Sequence, residues 1–206
     1  GIFLTWGTWW VVPIFVLHGA LIGHFYAPLH ECDHGTAFKS RWLNQWFARV
    51  LGFFIFLPSD AHKWLHFAHH RHTQDFARDT EIVPRGPFTN VWQCLWIFSG
   101  VPYYFDRGRS IVRYAFNRFP ETPFTDRQKA VLRRAARWHL AGYAAIAGGA
   151  AAVGSWAPLI YWIGPIVSAK WLYWFQGMSE HTGLTQYQNT LENTRTFKTN
   201  PFMRWM

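Results

Sequence analysis

Three histidine-rich segments contain the residues of this 206-residue chain that are best suited to chemistry. They are His30-Glu31-Cys32-Asp33-His34, His66-Phe67-Ala68-His69-His70, and the segment around His181 in Ser179-Glu180-His181-Thr182-Gly183. Helical residues three and four apart share a face, so these spacings would bring imidazoles together. Neutral imidazole binds zinc, copper, iron and nickel, whereas clustered imidazoles without a metal would be desolvated at a cost. The segments therefore predict a metal site.

The composition narrows the chemistry of that site. Two cysteines, Cys32 and Cys94, are too few for a disulfide framework or an iron–sulfur cluster. A 50% hydrophobic and 20% aromatic content excludes a disordered chain. The net charge is +9, but the basic residues form no nucleic-acid-binding motif, so we expect no nucleic-acid partner. The basic stretch 106–137 is interpreted as a solvated face beside anionic lipid.

The histidines leave three classes of function open. His30, Glu31 and His34 match the H-E-x-x-H motif of zinc metalloproteases, in which Glu31 would be the general base. That hypothesis leaves the second histidine segment unexplained. At least five clustered histidines instead fit two metals, and a nitrogen-rich site with open positions suits iron that activates dioxygen. A metal transporter or sensor without catalysis is the third possibility.

The surrounding elements are predicted to be membrane helices. Three apolar stretches, 2–25, 138–155 and 157–175, are long enough or nearly long enough to cross a bilayer. Two shorter ones, 42–57 and 90–105, are predicted to lie in the interface. All Lys and Arg residues follow residue 38, and the positive-inside rule then places the histidine segments on the cytoplasmic side. The sequence predicts one all-α, multi-pass membrane domain over 1–206.

The first two histidine segments resemble the first two histidine boxes of the membrane fatty acid desaturase family. His30 and His34 match H-x3-4-H in HECDHGTAFKSRWLN, and the second box, H-x-x-H-H, is matched in HFAHHRHTQDFARDTE. The resemblance implies a membrane-bound di-iron oxidase that uses dioxygen to introduce a C=C bond into a fatty acyl chain. Its electrons would come from a ferredoxin- or cytochrome b5-type donor. A hydroxylase or ketolase on the same scaffold is the alternative.

The resemblance also implies which residues hold the two non-haem irons. The expected ligands are His30, His34, His66, His69, His70 and His181. The carboxylates expected to hydrogen-bond to the other ring nitrogens are Asp33, Asp79, Glu81 and Glu180. His62 and His72 are interpreted as bystanders or supporting residues. A substrate tunnel lined by Trp171, Tyr173, Trp174 and Phe175 is a further expectation.

The third box of the family, a later H-x-x-H-H, is absent from this sequence. The segment ENTRTFKTNPFMRWM resembles its lead-in, and Met206 is the last residue. We therefore expect an internal fragment, truncated at both ends, that lacks three iron ligands. Such a fragment is predicted to load iron incompletely and to be inactive alone.

Overall fold

The computed structural model describes residues 1–73, 75, 77–81, 89–120, 124–174 and 184, and the regular structure of these residues is entirely helical. The predicted all-α class is confirmed for this part of the chain. The helices are α1 (Ile2–Thr5), α2 (Val11–Gly23), α3 (Tyr26–His34), α4 (Arg41–Phe54), α5 (Ser59–His72), α6 (Val91–Phe98), α7 (Val101–Ala115), α8 (Asp126–Ala152) and α9 (Gly164–Ser168), the last preceded by a π-helical segment (Leu159–Ile163).

The helical stretch Val11–His34 has the length and composition needed to cross a bilayer, with 24 residues and a mean hydropathy of 1.5 over its most apolar 18-residue window. It comprises α2, a tight turn and α3. A single helix over 2–25 is not what the chain forms. The helix breaks after Thr5, where Gly7 adopts a left-handed φ of +82° and Thr8 Oγ1 donates to the Thr5 carbonyl. Beyond residue 25 the helical path continues through α3.

The other two predicted spans map onto longer or more irregular helices. The stretch 138–155 falls mostly within α8, which starts earlier because Thr125 and Gln128 form a capping box. The stretch 157–175 covers the π-helical segment, α9 and a further helical turn at 170–174, and residue 175 lies outside the described residues. Within the described residues Val11–His34 is the one candidate span, so the multi-pass arrangement stays a prediction.

Both predicted interfacial stretches are helical, and their position in the interface stays a prediction. The stretch 42–57 corresponds to α4, whose first turn is capped by the Ser40 side chain. The stretch 90–105 comprises α6 and the start of α7, because the chain turns at Gly100, which has a φ of +77°. This turn separates α6 from α7 and lies against Lys170, which a Cβ at Gly100 would approach to 2.6 Å. The α6 surface is largely exposed, and Trp92 is 76% exposed.

Two buried apolar clusters support the helices that carry the histidines. One joins α5 to α7 and α8 through Ala61, Ile111 and Leu132. The other joins α3 to α4 and α9 and includes Leu29, Cys32, Ala48 and Ile166. Because each histidine-bearing helix packs on its own cluster, the relative placement of α3 and α5 depends on the contacts between them.

Candidate metal centre

Helix α3 presents His30 and His34 one turn apart, with ring centroids 4.6 Å from each other. The helix ends directly after His34, because Gly35 adopts a left-handed conformation with φ 76°. The amide groups of Gly35 and Thr36 then donate to the carbonyl oxygens of Cys32 and Glu31. This cap fixes the last turn of α3, so both histidines point to the same side.

Helix α5 starts after Pro58 and is joined to α4 by an ion pair. The Arg49 guanidinium binds both carboxylate oxygens of Asp60, with N–O distances of 3.2 and 3.3 Å. This pairing fixes the start of α5, which carries four histidines relevant to the site. They are His62, His66, His69 and His70.

The two helices bring four imidazoles together. Candidate ligand nitrogens of His30, His34, His66 and His70 all lie within 4.8 Å of one another. The Nε2 atoms of His34 and His70 are 3.3 Å apart, and the His66 ring lies between the His30 and His70 rings at 4.5 and 4.3 Å. Four nitrogens at this separation can share one ion. We call these four residues the histidine cluster.

His66 provides the strongest indication that the cluster binds a metal. The residue is 5% exposed, and its Nδ1 lies 2.8 Å from Oε1 of Glu81. Its Nε2 is buried and has no hydrogen-bond partner among the described residues. Leaving a buried nitrogen unsatisfied costs about 1–3 kcal/mol. A metal ion bound by the cluster would satisfy this nitrogen, so the residues present fit such an ion.

The segment 77–81 folds back onto α5 and supplies carboxylates to two of its histidines. Nδ1 of His69 lies 2.8 Å from Oδ1 of the fully buried Asp79, which also accepts from the Glu81 amide. Thr80 Oγ1 donates to the Leu65 carbonyl. A carboxylate on Nδ1 fixes the tautomer and leaves Nε2 as the metal-binding nitrogen, as it does for His66 and Glu81.

The local electrostatics favour the neutral imidazole of His70 and the ionised carboxylate of Glu81. Although part of the His70 side chain is exposed, desolvation within the cluster and then the nearby His66 and His34 lower its pKa to about 4. Burial alone would raise the pKa of Glu81. The hydrogen bond from His66 and the other imidazoles outweigh it and bring that pKa below its usual value. Neutral imidazole is the form that binds a metal.

The predicted residues divide into three groups. His30, His34, His66 and His70 form the cluster, with Glu81 in contact with His66. His69, also predicted as a ligand, lies beside the four residues and contacts Asp79. Asp33 contacts His62 rather than a predicted ligand, and His72 ends α5 outside the cluster. The remaining two predictions, His181 and Glu180, lie outside the described residues.

His62 was interpreted from the sequence as a bystander or a supporting residue, and its contacts favour the second. The residue is buried, contacts two residues of α3 and stacks on His66. A nitrogen of His62 also lies within 4.8 Å of ligand atoms of His66 and Glu81. The sequence offered one signal for a role of His62, namely that it precedes His66 by four residues and so shares its helix face. The sequence did not show that α3 lies beside this face of α5.

Glu31 is turned away from the position that the zinc metalloprotease hypothesis requires. Its carboxylate accepts a 2.6 Å hydrogen bond from Thr36 Oγ1 at the end of α3, and its side chain is 57% exposed. A general base must reach the water that it activates. The participation of His66 and His70 in the cluster is also unexplained by a two-histidine motif.

The expected aromatic tunnel does not coincide with the apolar cavity that the structure contains. The hydroxyl of Tyr173 donates to the Ala20 carbonyl, and Trp174 is buried. The cavity, of about 340 Å³, lies between α7, α8 and α9 instead and is lined by Phe56, Tyr104, Gly108, Ile111, Val112, Leu140, Tyr143, Ile163 and Val167. Phe175 lies outside the described residues.

Comparisons with known proteins agree with this geometry. The family model described as fatty acid desaturase matches residues 7–206. The chain is 26% identical over 184 residues to an sn-1 oleoyl-lipid 12-desaturase of Arthrospira platensis, covering 84% of this chain and 50% of that protein. It is 30% identical over 78 residues to an sn-1 acyl-lipid omega-3 desaturase (ferredoxin) of Synechocystis sp., covering 37% of this chain and 22% of that protein.

A third relative, an sn-1 oleoyl-lipid 12-desaturase of Picosynechococcus sp., is 30% identical over 81 residues, covering 37% of this chain and 22% of that protein. The chain thus spans half the length of the Arthrospira protein and a smaller part of the other two. No solved structure matches the chain.

Proposed function

The chain belongs to the fatty acid desaturase family, whose members are oxidoreductases of lipid metabolism, and on that premise we propose that it forms the metal-binding part of an acyl-lipid desaturase. The reaction proposed is the dioxygen-dependent introduction of a C=C bond into the acyl chain of a membrane lipid. The support is the family match together with the names of the relatives, which describe acyl-lipid desaturases.

The observation that carries the proposal is the convergence of four imidazoles from α3 and α5 around the unsatisfied Nε2 of His66. These four residues include both histidines of the first box and two of the three histidines of the second box. The third histidine of the second box is His69. The same spacing of histidines along the sequence would not bring the nitrogens within reach of one ion if α3 and α5 pointed apart. The geometry therefore supports a metal-dependent function beyond the sequence match.

We propose that the metal is iron and that the complete site holds two ions. The histidine cluster would bind the first, and His69 and His181 would contribute to the second. Bound iron supplies the dioxygen chemistry, which is the cofactor's own. The residues of this chain supply binding and orientation, because the Glu81 and Asp79 carboxylates accept from Nδ1 of His66 and His69 and so fix the orientation of both rings.

We propose a membrane location with the cluster on the cytoplasmic side. The apolar stretch Val11–His34 supports it, as do exposed aromatic side chains on α1, α6 and the segment between α1 and α2. Among them are Trp9 and Trp10, which would suit an interfacial aromatic belt. The proposed electron donor is of the ferredoxin type, because the Synechocystis relative carries that donor in its name.

Expression of the intact protein in a host that lacks the corresponding double bond tests the proposal. Lipid acyl chains from expressing cells should include a product two mass units lighter than its acyl precursor, formed only when oxygen is supplied. A His34→Ala variant should form none of it. A product sixteen mass units heavier would indicate hydroxylation and overturn the desaturase assignment, and zinc as the sole bound metal would overturn the iron assignment.

A further inference from the structure

His62 lies on α5 one turn before His66 and is 5% exposed. Both of its ring nitrogens contact α3. Nδ1 lies 2.7 Å from Oδ2 of Asp33, and Nε2 lies 3.3 Å from the hydroxyl of Tyr26. Tyr26 and Asp33 are two turns apart on α3 and therefore share a face. His62 thus connects the two helices whose histidines form the cluster.

One protonation state satisfies both contacts. The buried Asp33 carboxylate is an acceptor, so Nδ1–H of His62 donates to it. The Nε2 atom then has a free lone pair and accepts from the Tyr26 hydroxyl. A neutral His62 with this tautomer leaves neither nitrogen available for a metal ion.

The connection is coupled directly to the histidine cluster at both of its ends. The His62 ring lies nearly parallel to the His66 ring, with centroids 5.1 Å apart and an interplanar angle of 11°. At the other end, Asp33 immediately precedes His34 on α3. A shift of His62 would therefore disturb the orientation of His66 and the distance from His66 to His34.

We propose that His62 is a positioning residue, which through Asp33 and Tyr26 holds α3 against α5 so that the cluster nitrogens meet around one metal ion. It stacks on one ligand and is bonded to the residue beside another, but it does not itself bind the metal. The inference rests on the proposed function in one respect, namely that the cluster binds a metal.

Two amide substitutions separate this role from others. The amide nitrogen of Asn is as many bonds from Cα as Nδ1 of histidine, so His62→Asn can keep the donor to Asp33. The amide nitrogen of Gln corresponds to Nε2, so His62→Gln loses that donor. Metal-free intact protein in detergent is titrated with cobalt(II), and binding is followed by the visible absorption of the bound ion. Circular dichroism checks the helical content of each variant.

We expect His62→Gln to weaken cobalt binding about tenfold or more, as loss of supporting hydrogen bonds around metal ligands typically does. His62→Asn should stay close to the wild-type affinity, and both variants should give the wild-type spectrum once saturated. Tyr26→Phe removes the hydroxyl that contacts Nε2 of His62 and should weaken cobalt binding about twofold to tenfold. If His62→Gln does not fold, the Tyr26→Phe variant still tests whether the contact between His62 and α3 supports metal binding.

Three outcomes would overturn the inference. Equal losses in the Asn and Gln variants, with a changed spectrum at saturation, would make His62 a ligand. Unchanged affinity in His62→Gln and Tyr26→Phe would reduce His62 to ordinary packing. Absence of cobalt binding by the wild-type protein would instead overturn the metal centre itself, so the two failures are distinguishable.

Discussion

The two helices that form the histidine cluster hold their imidazoles in different ways. On α5, the Nδ1 atoms of His66 and His69 each lie 2.8 Å from a carboxylate that folds back from the segment 77–81. On α3, the nearest carboxylate to His30 is Glu31 at 3.5 Å, and it accepts a shorter bond from Thr36. On α5, His66 and His69 are oriented by hydrogen bonds to carboxylates, whereas His30 and His34 are oriented mainly by the packing of α3.

Burial follows the same division for the imidazoles that contact carboxylates. His66 and His69 are buried and His30 and His34 are half-buried, whereas His70, which has no such carboxylate among the described residues, is exposed near the end of α5. A buried, hydrogen-bonded ring has one orientation available and loses little freedom when a metal binds. The difference teaches that α5 is the preorganised half of the site and that α3 completes it. Disruptions on the α5 side should therefore reduce metal affinity more than comparable disruptions on the α3 side.

The largest effect is expected for His66→Ala. This residue contacts both His30 and His70 and carries the unsatisfied Nε2, so its loss removes the centre of the cluster. We expect metal affinity to fall by more than about 100-fold, beyond the range that supporting residues account for. The loss of affinity is measured as the amount of metal that the purified variant retains after dialysis, compared with the wild-type protein.

The matched control is His72→Ala, which removes an imidazole from the same helix outside the cluster. It should retain the wild-type metal content. Equal loss in both variants would show that α5 as a whole, rather than the cluster, determines metal binding.

Glu81→Gln should produce the next largest effect. The amide introduced by this substitution would still offer an oxygen to Nδ1 of His66, but without the negative charge that makes the ring a stronger ligand. We expect a loss of metal affinity of about tenfold to 100-fold, measured by competition with a chelator. Wild-type affinity in this variant would remove the distinction between the two helices.

Gly52→Ala tests whether packing positions α3. A Cβ at Gly52 would lie 2.2 Å from the Leu57 carbonyl oxygen and 3.3 Å from Leu29, the buried neighbour of His30. We expect a loss of about 1–3 kcal/mol in the free energy of unfolding, because the backbone must move to make room. Thermal denaturation of the protein in detergent measures it.

The control for this substitution is Gly148→Ala, at a helical position of α8 where a Cβ would meet nothing within 4 Å. There the greater helix propensity of alanine should raise the thermal midpoint slightly. If both variants were equally stable, close packing beside Leu29 would not be what fixes α3.

The smallest effect is expected for Glu31→Gln. Its carboxylate is exposed and bound to Thr36, so metal affinity should change by less than about twofold, below the range for a residue that supports a ligand. The same competition assay used for Glu81→Gln measures it. A loss as large as that of Glu81→Gln would contradict the division between the helices.

The sequence predicted most of the cluster because the evidence for it is local. Helical periodicity alone places His30 with His34 and His66 with His70, and the downstream Asp79 and Glu81 were identified as partners by resemblance. Helix boundaries were predicted less well. The breaks at Gly7 and Gly100 depend on left-handed backbone conformations that hydropathy does not reveal.

What the sequence by itself determined is the chemistry available at this site: neutral imidazoles at helical spacing, with carboxylates a short distance downstream. What only the tertiary structure decided is the pairing of those groups across helices. Asp33 was expected to support a ligand but bonds to His62, and Glu31 bonds to Thr36 instead of facing the cluster. Periodicity fixes which residues share a face of one helix. The rotation and distance of α3 relative to α5 depend on contacts between the two helices, such as those of His62 with Asp33 and Tyr26, which no local pattern encodes.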